Sequence, residues 1–412
     1  MLDVTLETIV KAKHNNNIIR STPLEYNSYL SEIYNSNVYL KREDLSPVRS
    51  YKIRGAYNFI TENVKLGSNN YVCASAGNHA QGVALACNYY KVNGVIFMPT
   101  TTPLQKIYKV RKFGGDYIDI KVTGDTFDDA FDKAVKYSRQ SKKTFVHPFD
   151  EPAVIAGQGT VGLEILSECK SHIDYVIVPV GGGGLISGIC VYFQNMSPDT
   201  KIIGVEPQGA PSMTRSIEDG KVVTLDSIDT FIDGAAVKKV GEYNFKLAGE
   251  CINQMVIAPE GRVCSTMLDL LYHDGIVTEP AGALSIDALK DLKDNIVNKT
   301  VVCVVSGGNF DFERLPEVKE RSLVYEGLKH YLVVNFAQRA GTLKEFLDVL
   351  GPNDDITRFE YIKKTNKEKG PALVGIELKH PADFQTIIGK MDKRKIHYEI
   401  ITSSSILYEL II

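Results

Sequence analysis

Lys52 carries the side chain whose chemistry has to be decided first. It lies in the stretch SPVRSYKIRGAYNFI, residues 46–60, where basic residues alternate with aromatic and apolar ones. Most lysines in proteins are solvated surface charges, and that is the default interpretation of this one. A lysine amine that is held unprotonated can instead attack a carbonyl group and form an imine. Other turns of the chain have to decide between the two.

A run of four glycines is the second chemical signal. In VPVGGGGLISG, residues 178–188, a predicted buried strand leads directly into the glycines and then into a predicted helix. A tight turn needs only one glycine, and each further one costs backbone entropy, so the run indicates that the backbone approaches a ligand closely. Bare N–H groups at a helix N-terminus bind phosphate well. We therefore predict a phosphate site at this turn.

Two more turns of small and polar residues follow predicted strands. In CASAGNHAQG, residues 73–82, Ser75 and Asn78 lie where donors converge on an anion or a ring oxygen, although helix capping alone would also explain them. In VVSGGN, residues 304–309, a strand ends in the hydroxyl of Ser306. A reactive lysine, a phosphate-binding turn and a hydroxyl at a strand end together favour an enzyme that uses pyridoxal phosphate.

The elements that must position these turns follow from the hydrophobic pattern. Short apolar runs predict buried strands that begin near residues 38, 71, 94, 117, 175, 201 and 301, and helical patterns separate them, for example over residues 78–88 and 126–140. Continuous apolar runs are typical of parallel strands covered by helices on both faces, which predicts an α/β layered fold. In such folds ligands bind beyond the carboxyl ends of the strands, where these turns lie.

One glycine motif is not expected to bind a ligand. GQGTVG, residues 157–162, fits the dinucleotide pattern G-x-G-x-x-G, and Asp174 follows at a suitable distance. That pattern requires a strand immediately before its first glycine, whereas here Pro152 opens a predicted helix. We therefore predict that these glycines allow close packing between helices.

Composition excludes several classes of protein. The chain has 412 residues, enough for two or three domains, and its formal net charge of −3 offers no basic surface to nucleic acid or to an anionic membrane. The N-terminus has no basic signal-peptide start, and no apolar run approaches the roughly 20 residues of a membrane helix. The seven cysteines are scattered, so neither disulfides nor a zinc site is expected. The expected location is the cytoplasm.

Four motifs together resemble the signature loops of fold-type II pyridoxal phosphate enzymes, most closely those of the threonine dehydratase (threonine ammonia-lyase) family. They are SPVRSYKIRGA, SAGNHAQG, GGGGL and SGGN, which begin at residues 46, 75, 181 and 306, in the family's order. The resemblance implies a tryptophan synthase β-like catalytic domain. It assigns Lys52 to the internal Schiff base and Ser75 to the substrate carboxylate. Its remaining cofactor contacts are Asn78 at the ring hydroxyl, Ser306 at the pyridine nitrogen, and Gly181, Gly182, Gly183, Gly184 and Leu185 at the phosphate.

The same resemblance implies a reaction. The expected activity is the β-elimination of L-threonine to 2-oxobutanoate and ammonia, the first step of isoleucine biosynthesis. The amine of Lys52 would take the α-proton. A neutral hydroxyl at the ring nitrogen does not hold the pyridine protonated, so the cofactor is a weaker electron sink, which suits elimination better than transamination.

Single residues bear on the alternatives. Serine dehydration stays open, because a pocket that accepts one extra methyl group discriminates only about 10- to 200-fold. Serine racemases of this group have a serine base where this chain has Ala76, so racemisation is not expected. A non-catalytic regulator that binds the cofactor is disfavoured, because the four motifs keep every side chain to which the resemblance assigns a role. Relatives that bind a divalent cation resemble this chain at Glu206 and Ala210 but have a carboxylate at Ser212, so no metal site is expected.

The pattern changes towards the C-terminus. After a charged linker helix from residue 312, the chain predicts strand, helix, two strands, helix and strand, with the helices over residues 341–351 and 383–393. This order is ferredoxin-like. Residues from about 326 to 401 resemble one copy of an ACT-like regulatory domain, which implies isoleucine as inhibitor, valine as an opposing activator, and a homotetramer; a plain dimerisation module is the alternative. The expected domains are residues 1–320, with a smaller subdomain at about 50–150, and residues 321–412.

Overall fold

The computed structural model describes residues 3–363, 367–402 and 405–411. These residues form two compact units. The first comprises the described part of Met1–Glu260 together with Asp269–Phe310, and the second comprises Gly261–Leu268 with the described part of Asp311–Ile412. Within the described residues, no helix is both long enough and apolar enough to cross a membrane.

The strands in the described part of the chain are numbered in chain order. They are β1 Leu24–Tyr26, β2 Asn37–Arg42, β3 Asn70–Ala74, β4 Asn93–Met98, β5 Ile118–Val122, β6 Thr144–Phe145, β7 Tyr175–Pro179, β8 Lys201–Pro207, β9 Gln254–Ala258, β10 Thr300–Val305, β11 Lys329–Ala337, β12 Asp355–Tyr361, β13 Lys369–Glu377 and β14 His397–Ile401.

The helices are numbered in the same way. The α-helices are α1 Leu6–His14, α2 Ser28–Tyr34, α3 Lys52–Lys65, α4 Asn78–Tyr90, α5 Leu104–Gly114, α6 Phe127–Ser141, α7 Pro152–Glu168, α8 Gly184–Met196, α9 Ser212–Asp219, α10 Glu242–Ala248, α11 Glu260–Asp274, α12 Pro280–Asp287, α13 Leu289–Leu292, α14 Leu315–Tyr325, α15 Thr342–Leu347, α16 Asp383–Lys393 and α17 Ile406–Ile411. Short 3-10 helices span Glu43–Leu45, Gly115–Tyr117 and Phe312–Arg314.

Two sheets form the framework of the first unit. The larger has the order β1-β2-β10-β7-β8-β9 and is parallel except for β1, which runs antiparallel to β2. The smaller has the order β5-β4-β3-β6 and is parallel throughout. The predicted α/β fold is therefore confirmed. Ser75 follows β3, the four glycines follow β7, and Ser306 follows β10, so all three turns lie at carboxyl ends of strands.

The hydrophobic pattern found every strand in which most residues are buried and missed three that are short or partly exposed. Every residue of β7 and β10 is buried, which is why their apolar runs are continuous. The strands that it did not predict, β1, β6 and β9, are short or partly exposed and carry polar residues. Of these, β1 and β9 are the two edges of the large sheet.

The glycines of GQGTVG serve helix packing, as predicted. They lie inside α7, whose first residue is Pro152. A Cβ atom on Gly157 would lie 2.5 Å from the carbonyl oxygen of Arg54 in α3. On the facing helix α8, a Cβ atom on Gly188 would lie 2.5 Å from the backbone nitrogen of Gly159. Both helices therefore approach α7 more closely than any larger residue allows.

The second unit is built on one antiparallel sheet of order β12-β13-β11-β14. Helices α15 and α16 contribute Phe346, Phe384 and Ile387 to its core, beside strand residues such as Leu332 and Val374. The predicted ferredoxin-like order is confirmed. The first of its helices is shorter than predicted: it ends at Leu347, and residues 351–354 form a turn in which a carboxylate oxygen of Asp354 accepts from the backbone N–H of Gly351.

Candidate active site

Lys52 is the first residue of α3 and is half-buried in the first unit. Its Nζ donates a hydrogen bond to the carbonyl oxygen of Pro148 at 2.9 Å, and the ring centroids of Tyr51 and Phe149 lie 5.3 and 5.9 Å from it. Burial lowers the pKa of Lys52 to about 8, against the opposing influence of the Glu279 carboxylate. About a tenth of this amine is therefore unprotonated at pH 7, compared with less than about a thousandth of an ordinary surface lysine.

The glycine turn, residues 181–185, lies against the same segment that binds Lys52. A Cβ atom on Gly182 would lie 2.3 Å from the ring of Phe149, and one on Gly184 would lie 2.8 Å from the Phe149 carbonyl oxygen. Gly183 has a φ of +93°, which disfavours any residue with a side chain. Asn244 holds the turn, because its Nδ2 donates to the carbonyl oxygens of Gly182 and Phe149 at 2.9 and 3.1 Å.

The glycine turn has the features of a phosphate site. Its glycines leave the backbone bare, and Gly184 begins α8, a helix of 13 residues whose N-terminal amides and dipole favour an anion. Side chains at Gly182, Gly183 and Gly184 would collide with Phe149 or Asn244, so only glycines allow the backbone to keep this shape. The residues present therefore fit the phosphate group of pyridoxal phosphate.

Ser306 follows β10 and lies beside the segment that precedes Lys52. Its carbonyl oxygen accepts from the backbone N–H of Tyr51 at 3.1 Å, and its hydroxyl donates to the carbonyl oxygen of Ala281 at 3.3 Å. The next residue, Gly307, forms an isolated bridge with Ser50. The structure thus brings the first and fourth motifs together, although 254 residues (306 − 52) separate Lys52 from Ser306 in sequence.

Asn78 links the second motif to the fourth. It is the first residue of α4, and its Oδ1 accepts from Asn309 Nδ2 at 2.6 Å. Ser75, in contrast, makes local contacts: its backbone N–H donates to Phe97 and its hydroxyl accepts from the N–H of Gly77 at 3.1 Å. Asn78 is therefore assigned to the site by its contact with the fourth motif, whereas Ser75 is assigned to it only by its position after β3.

Sequence reasoning missed Glu279, the residue immediately before α12. This carboxyl group is buried and accepts from Asn78 Nδ2 at 2.7 Å. Burial, with the charge of Asp233, raises the pKa of Glu279 to about 7. The signal available was a lone acidic residue within the apolar stretch GIVTEPAGAL, residues 275–284, directly before a proline that begins a helix.

Two histidines lie close to Lys52 and stay neutral. Burial and the positive charge of Lys52 lower the pKa of His79 to about 3 and that of His147 to about 4. A ring nitrogen of His79 bonds with the carbonyl oxygen of Val146 at 3.0 Å. His147 Nδ1 accepts from the backbone N–H groups of Phe149 and Asp150 at 3.3 and 2.8 Å, so it shapes the segment that contacts both Lys52 and the glycine turn.

Glu206 serves as the N-terminal cap of α9. Its carboxylate accepts from the backbone N–H groups of Met213 and Thr214 at 2.7 and 2.8 Å, and from the Thr214 hydroxyl at 2.7 Å. Burial raises its pKa to about 7. Within the described residues, no group of three or more His, Cys, Asp or Glu side chains is arranged to hold a metal ion.

Comparison with known proteins agrees with this geometry. The family described as "Pyridoxal-phosphate dependent enzyme" matches residues 16–307, and the "C-terminal regulatory domain of Threonine dehydratase" matches residues 320–411. A protein of Halalkalibacterium halodurans named "L-threonine dehydratase biosynthetic IlvA" is 52% identical over 412 residues, 99% of each chain. The family suggested by the four motifs is therefore confirmed.

Two solved structures are similar to somewhat more than three quarters of this chain. Processed threonine deaminase isoform 2 from Solanum lycopersicum is 39% identical, with a TM-score of 0.73 over 78% of this chain and 96% of that one. Maize serine racemase is 26% identical, with a TM-score of 0.72 over 79% of this chain and 99% of that one. The fold is thus common to lyases and racemases, and the site residues have to distinguish them.

Proposed function

This chain belongs to the family of pyridoxal-phosphate dependent enzymes, and on that premise we propose that it deaminates L-threonine to 2-oxobutanoate and ammonia. The observation that carries the proposal is the meeting of motifs around Lys52: its amine and the glycine turn share the segment Pro148–Phe149, and Ser306 binds the residue before it. Pyridoxal phosphate supplies an electron sink for the α-carbon of an amino acid.

Four groups would hold the cofactor. Lys52 Nζ would bind it covalently, and the N–H groups of the glycine turn would bind its phosphate. Asn78 Nδ2 would donate to the ring hydroxyl. The hydroxyl of Ser306 would lie at the ring nitrogen and, being neutral, would not hold that nitrogen protonated, which favours elimination over transamination.

Two residues act on the substrate. Ser75, with the backbone N–H groups at the start of α4, binds its carboxylate. The amine of Lys52 accepts the α-proton, and a pKa of about 8 suits a base that works near neutral pH. Ala76 offers no acid or base on the opposite face, so we expect elimination without racemisation.

The test is 2-oxo acid formation by the purified holoenzyme, with L-threonine and L-serine as separate substrates. We expect 2-oxobutanoate and ammonia in equal amounts from threonine, and no D-enantiomer in the residual amino acid by chiral chromatography. A bound cofactor without any 2-oxo acid would contradict the proposal and indicate a non-catalytic cofactor-binding protein. Racemisation at rates comparable to ammonia release would favour a racemase.

The second unit is proposed to bind isoleucine as an inhibitor, opposed by valine, and to support a homotetramer. Its support is the match of residues 320–411 to a regulatory domain. The sheet ends in the edge strands β12 and β14, whose backbone groups can pair with a second copy. The proposed location is the cytoplasm, because the described residues, which include all seven cysteines, contain no disulfide.

A further inference from the structure

A chain of side-chain hydrogen bonds runs through Asn78 within the first unit. Asn309 Nδ2 donates to Asn78 Oδ1 at 2.6 Å, and Asn78 Nδ2 donates to Glu279 Oε1 at 2.7 Å. Asn309 is itself held from two sides: its Nδ2 also donates to the backbone carbonyl of Val48 at 2.8 Å, and its Oδ1 accepts from Lys109 Nζ at 3.3 Å.

These hydrogen-bond partners determine the orientation of the Asn78 side-chain amide. An amide side chain can turn by 180° with little change of shape, so its orientation depends on its hydrogen bonds. The carbonyl of Val48 can only accept a hydrogen bond, so it fixes the orientation of the Asn309 amide with Nδ2 towards Val48. The same Nδ2 also donates to Asn78. Asn78 must therefore turn its oxygen to Asn309 and its Nδ2 to Glu279. Glu279 accepts one of the two Nδ2 hydrogens, and no other group in the described part of the chain accepts the second.

Glu279 is fixed in the position that this orientation requires. It is 7% exposed, and a Cβ atom on Gly307 would lie 2.4 Å from its Oε1. The backbone N–H of Asn309 also donates a hydrogen bond to the carboxyl group of Glu279. Two charged side chains lie nearby, the negative Asp233 and the positive Lys106. Burying a carboxyl group beside another acid costs stability, and this is typical of functional sites.

We propose that Glu279 and Asn309 are positioning residues that direct the remaining N–H of Asn78 at the ring hydroxyl of the bound cofactor. The inference rests on the proposed role of Asn78. An N–H donor stabilises the ionised form of that hydroxyl, whereas the amide oxygen, turned to the same place, destabilises it. Two residues that are not required to touch the cofactor thereby set the charge on its ring.

The test is a pH titration of the visible absorbance of the bound cofactor, with the holoenzyme and without substrate. In Glu279→Leu the amide of Asn78 keeps its contact with Asn309 but loses the acceptor that fixes the direction of its Nδ2. We therefore expect the apparent pKa of the absorbance change to shift by about one to two units, as for loss of a hydrogen bond to a charged group. Glu279→Gln keeps an acceptor oxygen at the same place, so its apparent pKa should lie close to that of the unsubstituted enzyme. An unshifted titration in Glu279→Leu, or an equal shift in Glu279→Gln, would overturn the proposal.

A second variant keeps the test valid if Glu279→Leu does not fold. Asn309→Asp has almost the same shape but cannot donate from the carboxylate, so Asn78 should turn and the titration should shift in the same direction as in Glu279→Leu. An unshifted titration would again overturn the proposal. The matched control is Asp287→Leu, a buried acid at the other end of α12, which should lower stability and leave the titration unchanged.

Failure of this inference can be told apart from failure of the proposed function. Asn78→Leu is the reference, because it removes the donor itself. If the titration shifts in Asn78→Leu but not in the Glu279 and Asn309 variants, Asn78 contacts the cofactor and its neighbours do not position it. No shift in Asn78→Leu contradicts the role of Asn78 itself. Activity with threonine does not enter either result.

Discussion

The two units of this chain differ in how their strands gather functional residues. In the first unit, β7 and β10 are parallel neighbours, so the turns after them meet at one edge of the sheet although they are distant in sequence. In the second unit, neighbouring strands are antiparallel, so their carboxyl ends alternate between the two edges of the sheet. Short motifs therefore identify a chemical site in the first unit, whereas in the second the order of elements identifies only the fold.

The largest expected effect on catalysis comes from substituting Lys52 in the first unit. Lys52→Ala should lower kcat for threonine by about 100- to 10,000-fold or more, because it removes both the cofactor's attachment point and the proposed base. Steady-state kinetics of 2-oxobutanoate formation measures this effect. Lys65→Ala is the matched control, since Lys65 lies in the exposed last turn of the same helix. Full activity of Lys52→Ala would refute the assignment of the site.

The second unit should govern regulation but not the chemistry itself. Isoleucine is expected to weaken threonine binding by about 5- to 150-fold, the usual range of coupling between distant sites. Removing residues from 326 onward should leave an active enzyme that no longer responds to isoleucine. Titrations of isoleucine against both forms, with the absorbance of the bound cofactor as a check of folding, measure the effect. An unresponsive full-length enzyme would reduce the second unit to an assembly module.

The lowered pKa of Lys52 should be visible in cofactor capture by the apoenzyme. Only the unprotonated amine attacks the cofactor's aldehyde, and burial lowers the pKa of this amine to about 8. The capture rate should therefore fall about tenfold between pH 9 and pH 7, with its midpoint near pH 8. Stopped-flow absorbance at a series of pH values measures this. A midpoint near 10.4, the value of an exposed lysine, would contradict the buried environment.

Glycine-to-alanine substitutions should have opposite effects in the two units. Gly182→Ala places a methyl group 2.3 Å from the ring of Phe149, which should cost about 1–3 kcal/mol of stability and weaken cofactor binding. Gly389 lies inside α16 of the second unit, and apart from the adjacent backbone of its own helix no atom would lie within 4 Å of an added Cβ, so Gly389→Ala should stabilise that unit by about 0.5–1 kcal/mol. Urea unfolding of both variants gives the comparison, and equal effects would refute it.

Local patterns made much of the first unit predictable from sequence. A buried strand, a glycine run and a helix follow one another over residues 175–196, so the glycine turn needs no long-range contact to be recognised. Lys52 was different: its own stretch is compatible with a solvated surface lysine, and only the other three motifs and the family resemblance assigned its role. Pro152 identified the start of α7 and excluded the dinucleotide motif.

Residues that depend on long-range contacts could not be found in this way. Asn78 meets Glu279 and Asn309 across 201 and 231 residues, and no spacing in the sequence records those pairs. His147 is recognised only once the segment Pro148–Phe149 is seen beside both Lys52 and the glycine turn. In the second unit the elements were predictable, but the effector-binding residues were not, because an antiparallel sheet gives them no common position in the sequence.

The most direct test of the central claim is to locate the cofactor on the chain. The holoenzyme is reduced with borohydride, digested, and searched by mass spectrometry for the peptide that carries the reduced cofactor. We predict a single labelled site at Lys52, and no label in a sample reduced after the cofactor has been removed. A label on any other lysine, or none in a yellow holoenzyme, would contradict the account.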